Sequence, residues 1–107
     1  MRAYHVLNKQ EKLLLEQTGA STLVVNALID YIEERRKVGH FLTAVLSNDL
    51  NDAFARADDT NVEAIGTLIR WIYNYAPSLC WGSKEKVERW LAREDGGAAQ
   101  ARDGRES

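Results

Sequence analysis

The chain has 107 residues, 45% of them hydrophobic, with 14 basic and 16 acidic side chains and a formal charge of −2. That length suits one domain, burying roughly 65% of the surface its unfolded chain exposes. Near charge balance argues against broad duplex binding by phosphate neutralisation and leaves room for a local basic pocket.

Cys80 is the only cysteine, which excludes an intrachain disulfide and fits a reducing compartment. No apolar core of a signal peptide stands near Met1, and no apolar run approaches the ~20 residues of a membrane helix. The expectation is a cytoplasmic protein of a bacterial host cell, with no membrane contact.

Met1 to Asn8 reads as a loosely held start. Asn8 and Glu11 have capping-box spacing and open a first helix through Leu13, Leu14 and Leu15. Thr18-Gly19 stops it, Gly19 supplying a left-handed turn. Ser21 or Thr22 caps a second helix whose apolar stripe is Val24, Ala27, Leu28, Tyr31 and Ile32, with Leu23 at the edge. Its polar end is Glu33 to Lys37, and Gly39 closes the segment.

A third helix is expected from His40 to Ala57, with Phe41, Leu42, Val45, Leu46, Leu50, Ala53 and Phe54 on one stripe. Asp58-Asp59-Thr60 then punctuates the chain and offers an N-cap. Val62, Ile65, Leu68, Ile69, Ile72 and Ala76 recur at threes and fours, predicting a fourth helix over Asn61 to Tyr75 that Trp71 and Tyr75 widen. Pro77 ends it. After a loop over Ser78 to Gly82, Ser83 caps a last helix, Lys84 to Ala92, with Val87, Trp90 and Leu91 facing in.

Glu94 to Ser107 carries three glycines, three alanines and no large apolar side chain, too little to offset the cost of ordering. No alternating β-branched run is long enough for a strand. The fold class expected is all-α: a bundle of four to five helices over residues 1–93, then a disordered tail over 94–107.

The chemistry-bearing residues are sparse. His5, His40 and Cys80 lack any metal-ligand spacing, so neither a metal nor a cofactor is expected. Cys80 has no histidine near it in sequence, although folding can bring His40 closer; between Leu79 and Trp81 it reads first as a packed core thiol. Asp49 and Asp52, and Asp58 and Asp59, could serve acid–base or cation chemistry, but capping explains them more simply. Trp81-Gly82-Ser83-Lys84 sets free backbone N–H groups, a hydroxyl and an ammonium at a helix start, the elements of an anion site; an ordinary serine cap is the simpler reading. Trp71, Tyr73, Tyr75, Trp81 and Trp90 cluster in one stretch, as core plus contact surface or as a base-stacking platform. Arg35-Arg36-Lys37 reads as a solvated helix end rather than a nucleic-acid contact.

Residues from about Leu23 to Leu91 resemble a family of small proteins encoded by tailed phages and prophages. The residues that carry the resemblance run from Gly39-His-Phe-Leu-Thr-Ala-Val-Leu-Ser-Asn-Asp-Leu50 through Arg56-Ala57-Asp58, Asn61, Tyr73-Asn74 and Pro77. They continue with Cys80-Trp81-Gly82-Ser83 and end at Val87 and Trp90. A Pro-Pro pair often precedes the glycine in that family, where this chain has Lys37-Val38. The family has no general assigned activity, and phage accessory proteins of this size commonly block or sequester something of the host. The resemblance therefore implies a ligand-binding role for its polar residues: Asn48, Asp49, Arg56, Asn74, Trp81 and Ser83. On a continuous third helix, Asp49 falls within the apolar stripe and Asn48 at its margin, where each needs a polar partner.

The leading expectation is a non-enzymatic phage accessory protein acting against host defence. In its most concrete form it is a homo-oligomeric sponge for a small anionic signal such as a cyclic nucleotide. One alternative is an inhibitor or adaptor that binds a host or phage protein through an apolar or acidic patch including Asp52, Asp58 and Asp59. Another is a nucleic-acid accessory in phage replication or regulation. An enzyme built on Cys80 with His40, or on the aspartate pairs, is the least supported.

Overall fold

Six helices carry the regular structure of residues 6–92, the part of the chain that the computed structural model describes. They are α1 (Lys9–Glu16), α2 (Thr22–Glu34), α3 (His40–Leu46), α4 (Leu50–Arg56), α5 (Asp59–Tyr75) and α6 (Lys84–Ala92), with a single 3-10 turn at Ser78–Cys80 before α6. No strand occurs among the described residues, so the domain is all-α as its periodicity predicts. The expected tail over 94–107 lies outside the described residues.

The helix starts follow the predicted caps. Asn8 and Glu11 form a reciprocal capping box: Glu11 N donates to Asn8 Oδ1 at 2.8 Å and Asn8 N to Glu11 Oε1 at 2.9 Å. Ser21 accepts from Val24 N, Asp58 from Asn61 N and Ser83 from Lys86 N. Each satisfies a backbone donor that the first helical turn leaves open. The N-terminal stretch is held tighter than expected once past residue 5. Leu7 is buried, and its N–H donates to Glu33 Oε2, which also pairs with Lys12 at 3.3 Å.

Leu15, Leu28, Tyr31, Ile32, Leu46, Leu68 and Cys80 are the most deeply buried large side chains, joined by Trp71, Ile72 and Trp90. On α2 the core face is Val25, Leu28, Tyr31 and Ile32; Val24 is only half-buried and Leu23 is 80% exposed. On α5 the predicted Ile65, Leu68 and Ile72 are buried, with Val62 and Ile69 at the flank. Trp71 ties α5 to α1 by donating Nε1–H to the Glu11 carbonyl at 2.9 Å, and its ring lies 5.8 Å from that of Tyr75.

The long third helix does not form as one rod. It breaks at Ser47-Asn48-Asp49 into α3 and α4. Asn48 takes the left-handed conformation, φ 65°, which asparagine tolerates better than most residues. Asp49 leaves the apolar stripe expected for it and becomes the exposed N-cap of α4, accepting from Asp52 N at 3.1 Å. The break turns α4 about its axis. Ala53 stays fully buried, while Leu50 and Phe54, both expected in the core, are 45% and 52% exposed. Asn48→Ala should destabilise the domain by about 1 kcal/mol through the left-handed penalty, and Asn48→Gly should be neutral. Urea midpoints of the two variants check this, and equal midpoints would count against the turn.

The end of α2 also differs from expectation. Gly39 does not close it; Arg35 does, at φ 59°, with its N–H bonded to the Tyr31 carbonyl. Gly39 is instead the N-cap of α3. Of the basic run expected to be solvated, Arg36 and Lys37 are exposed, but Arg35 is only 6% exposed. Its guanidinium lies 3.7 Å from the Trp90 ring centroid, a cation–π contact that sequence periodicity does not show.

Candidate functional site

The segment between α5 and α6 is shaped by a few local rules. Pro77 cannot continue α5, and Cys80 N donates back to the Pro77 carbonyl in the 3-10 turn. Gly82 has φ 118°, a conformation that side chains rarely adopt, and its N–H donates to the Leu46 carbonyl at 2.7 Å. That bond moors the segment to the last residue of α3. Ser83 then starts α6, and Lys86 folds back over Gly82 to donate Nζ–H to the Ser78 carbonyl at 3.3 Å.

Beneath this segment lies a polar knot in the core. Tyr31 donates its hydroxyl to the Cys80 carbonyl at 2.7 Å, and Trp90 donates Nε1–H to the Tyr31 carbonyl at 2.8 Å. The Tyr31 and Trp90 rings are 6.4 Å apart. Burial pushes the Cys80 thiol up to about 12, with the charges of Arg35 and Lys86 and a backbone hydrogen bond opposing only part of that rise. Burial likewise raises Tyr31 well above the ordinary phenol range, followed by the nearby Cys80 sulfur, against a lowering by Arg35.

The thiol is thus the packed residue the sequence suggests, in the opposite condition to an activated nucleophile. His40 is exposed at the start of α3, whereas Cys80 has no exposure. Cys80 should resist thiol reagents in the folded protein and react on unfolding. Because its folded pKa is raised, its contribution to stability is complete below the unfolded thiol's pKa. It is lost as pH rises from there toward about 12. Fast labelling of native protein, or a Cys80→Ala variant with the same alkaline loss, would contradict this.

On the outer side, Trp81 is half-buried and packs edge-on against Tyr73, with centroids 5.9 Å apart and planes at 68°. Tyr73 is 72% exposed and Leu79 is 56% exposed. Trp81 Nε1 and Ser47 Oγ are both sealed from solvent without a hydrogen-bond partner among the described residues.

The six residues singled out by the resemblance fall into two sets. Trp81 and Ser83 flank Gly82, and the Gly82–Leu46 bond brings them beside the turn that holds Asn48 and Asp49. Arg56 stands at the other end of α4, exposed and paired with Asp52 at 3.3 Å. Asn74 is exposed, about 100° round α5 from Tyr73. Asp49 and Ser83 already use their side-chain oxygens as caps.

Sequence reasoning placed Tyr73 among the aromatics of a candidate base-stacking platform but did not single out Arg70 beside it. A signal for Arg70 exists in the charge pattern. From Ala64 to Lys84 there is no carboxylate, the flanking acids being Glu63 and Glu85. The charged residues of that stretch are Arg70, one turn before Tyr73 on α5, and Lys84 at the start of α6. In a chain of net negative charge this stretch carries two cations, no carboxylate and the exposed Tyr73 ring.

A groove of about 330 Å³ is lined by Glu16, Ala20, Thr22, Val25 and Asn26, none of them singled out by the sequence. Among the described residues, no group of three or more His, Cys, Asp or Glu is placed to hold a metal ion. No described helix is long and apolar enough to cross a membrane. No protein-family model matches the chain, and no curated protein or solved structure matches it at a significant level.

Proposed function

We propose that this chain is a non-enzymatic binding protein of the phage accessory kind that sequesters a small anionic signal of the host. The observation that supports this is the carboxylate-free stretch of chain from Ala64 to Lys84, where Arg70, Lys84 and the backbone donors at the start of α6 are set against an overall acidic chain. Opposite charge there concentrates an anion, and a helix start offers open N–H groups to it. The phage setting rests on the resemblance of residues 23–91, and a homo-oligomer is the form in which a small domain would enclose such a ligand. Titration calorimetry of the folded protein against a panel of cyclic oligonucleotides tests the proposal. Heat with at least one member is expected, and silence across the panel sinks it.

A second reading has an observation of its own. Leu50 and Phe54 sit one turn apart on α4 and are about half exposed, the kind of pair a protein partner covers. If the chain is instead an inhibitor or adaptor, Phe54→Ala should abolish recovery of a stoichiometric partner from host lysate. Recovery undiminished by that change would exclude α4 as the contact.

A further inference from the structure

We infer that Tyr73 is a stacking platform for the base of a nucleotide, so that the ligand of the surface proposed above carries a planar ring as well as negative charge. This rests on that reading and adds a recognition residue to it. Tyr73 lies on the helix face beside the buried stripe, yet 72% of it remains exposed. A large ring left that open gains little from its own fold. Its position is nevertheless defined, because the Trp81 ring meets it at 68° with 5.9 Å between centroids. Trp81 is in turn held by the Gly82–Leu46 bond and the Ser83 cap that follow it directly in the chain.

A pre-set exposed ring costs little conformational entropy when a flat partner settles on it. The cation one turn from it on α5 selects the partner. Arg70 stands one turn before Tyr73, Lys84 follows the Trp81 segment, and no carboxylate occurs between Glu63 and Glu85. An uncharged aromatic ligand would make no use of those cations, and a bare phosphate would make no use of the ring. A nucleotide uses both, its base on Tyr73 and its phosphate toward Arg70 or Lys84. The hydroxyl of Tyr73 has no part in this; the ring does the work.

Three probes separate the contributions: cyclic di-adenylate, adenosine 5′-monophosphate and ribose 5-phosphate, each titrated into the full chain at low salt. The nucleotides should bind, with ribose 5-phosphate weaker by about tenfold or more. Tyr73→Ala should weaken both nucleotides by about tenfold and leave ribose 5-phosphate unchanged, and Tyr73→Phe should bind as the parent does. Circular dichroism confirms that both variants fold, as expected for so exposed a side chain. If ribose 5-phosphate binds as well as adenosine monophosphate, or Tyr73→Ala binds the nucleotides like the parent, stacking is overturned while anion binding stands. If none of the three probes binds, the anion-binding reading fails and this inference fails with it.

Discussion

Trp90→Ala is expected to destabilise the domain by about 3–5 kcal/mol, the range for removing a large buried aromatic. Three losses coincide there. The ring is 2% exposed, so its removal leaves a cavity between α2 and α6. Its N–H to the Tyr31 carbonyl disappears, and the Arg35 guanidinium loses the face it lies over at 3.7 Å. A small domain holds only about 5–15 kcal/mol in all, so this one change brings it close to unfolding. Trp90→Phe separates the parts. It keeps most of the volume and the ring face, and should lose only about 1 kcal/mol for the one hydrogen bond, because the Tyr31 carbonyl still accepts from Arg35 N. Urea unfolding followed by circular dichroism gives both values. A Trp90→Ala loss under 1 kcal/mol would show that the knot of Tyr31, Cys80, Arg35 and Trp90 does not hold the fold.

The second large effect is expected at Asn61. This side chain is 5% exposed and joins two helix starts. Its Oδ1 accepts from Ser21 N at 2.9 Å, just before α2, and its Nδ2 donates to Ser21 Oγ at 3.4 Å. Asn61→Ala leaves the Ser21 N–H without its acceptor in a half-buried position, at a cost of about 2 kcal/mol. The effect should depend on its partner. A double-mutant cycle with Ser21→Ala should show a coupling of at least about 0.5 kcal/mol, as contacting residues do. Strict additivity would mean that the Asn61 Nδ2 to Ser21 Oγ bond adds nothing beyond the bond to the Ser21 backbone. The neighbouring bond from Thr67 Oγ1 to the Thr18 carbonyl ties α5 to the same corner and is the natural comparison.

These two sites differ in how far a reader of the sequence could have found them. Asn61 follows Asp58 at N-cap spacing, so its place in the first turn of α5 is visible; its reach across forty residues to Ser21 is not. Trp90 is predicted to face the core from α6, and does. Nothing in its spacing says that Arg35, at the end of a basic run, will turn inward and cover it. Such a run ordinarily stays in water, and the left-handed turn at Arg35 is what redirects the chain.

The break between α3 and α4 shows the same limit from the other side. Ser47-Asn48-Asp49 contains a residue suited to the left-handed region and a good N-cap in immediate succession, which is a legible helix stop and restart. Apolar residues at helical spacing on both sides predict instead one continuous stripe through to Phe54. The exposed Leu50 and Phe54 follow from that single turn.

Sequence alone determined the all-α class, the caps at Asn8 and Ser83, the capping segments at Ser21-Thr22 and Asp58 to Thr60, the stop at Pro77 and the burial of Cys80. Each depends on a local rule or on periodicity along one helix, and both are written in neighbouring residues. Tertiary structure decided the rest of the candidate surface that opened between α5 and α6. The Gly82–Leu46 bond, the Trp81 ring against Tyr73 and the inward Arg35 join residues far apart in the chain. Those pairings depend on how helices pack, and the energy of packing is shared among many side chains rather than marked on any one of them.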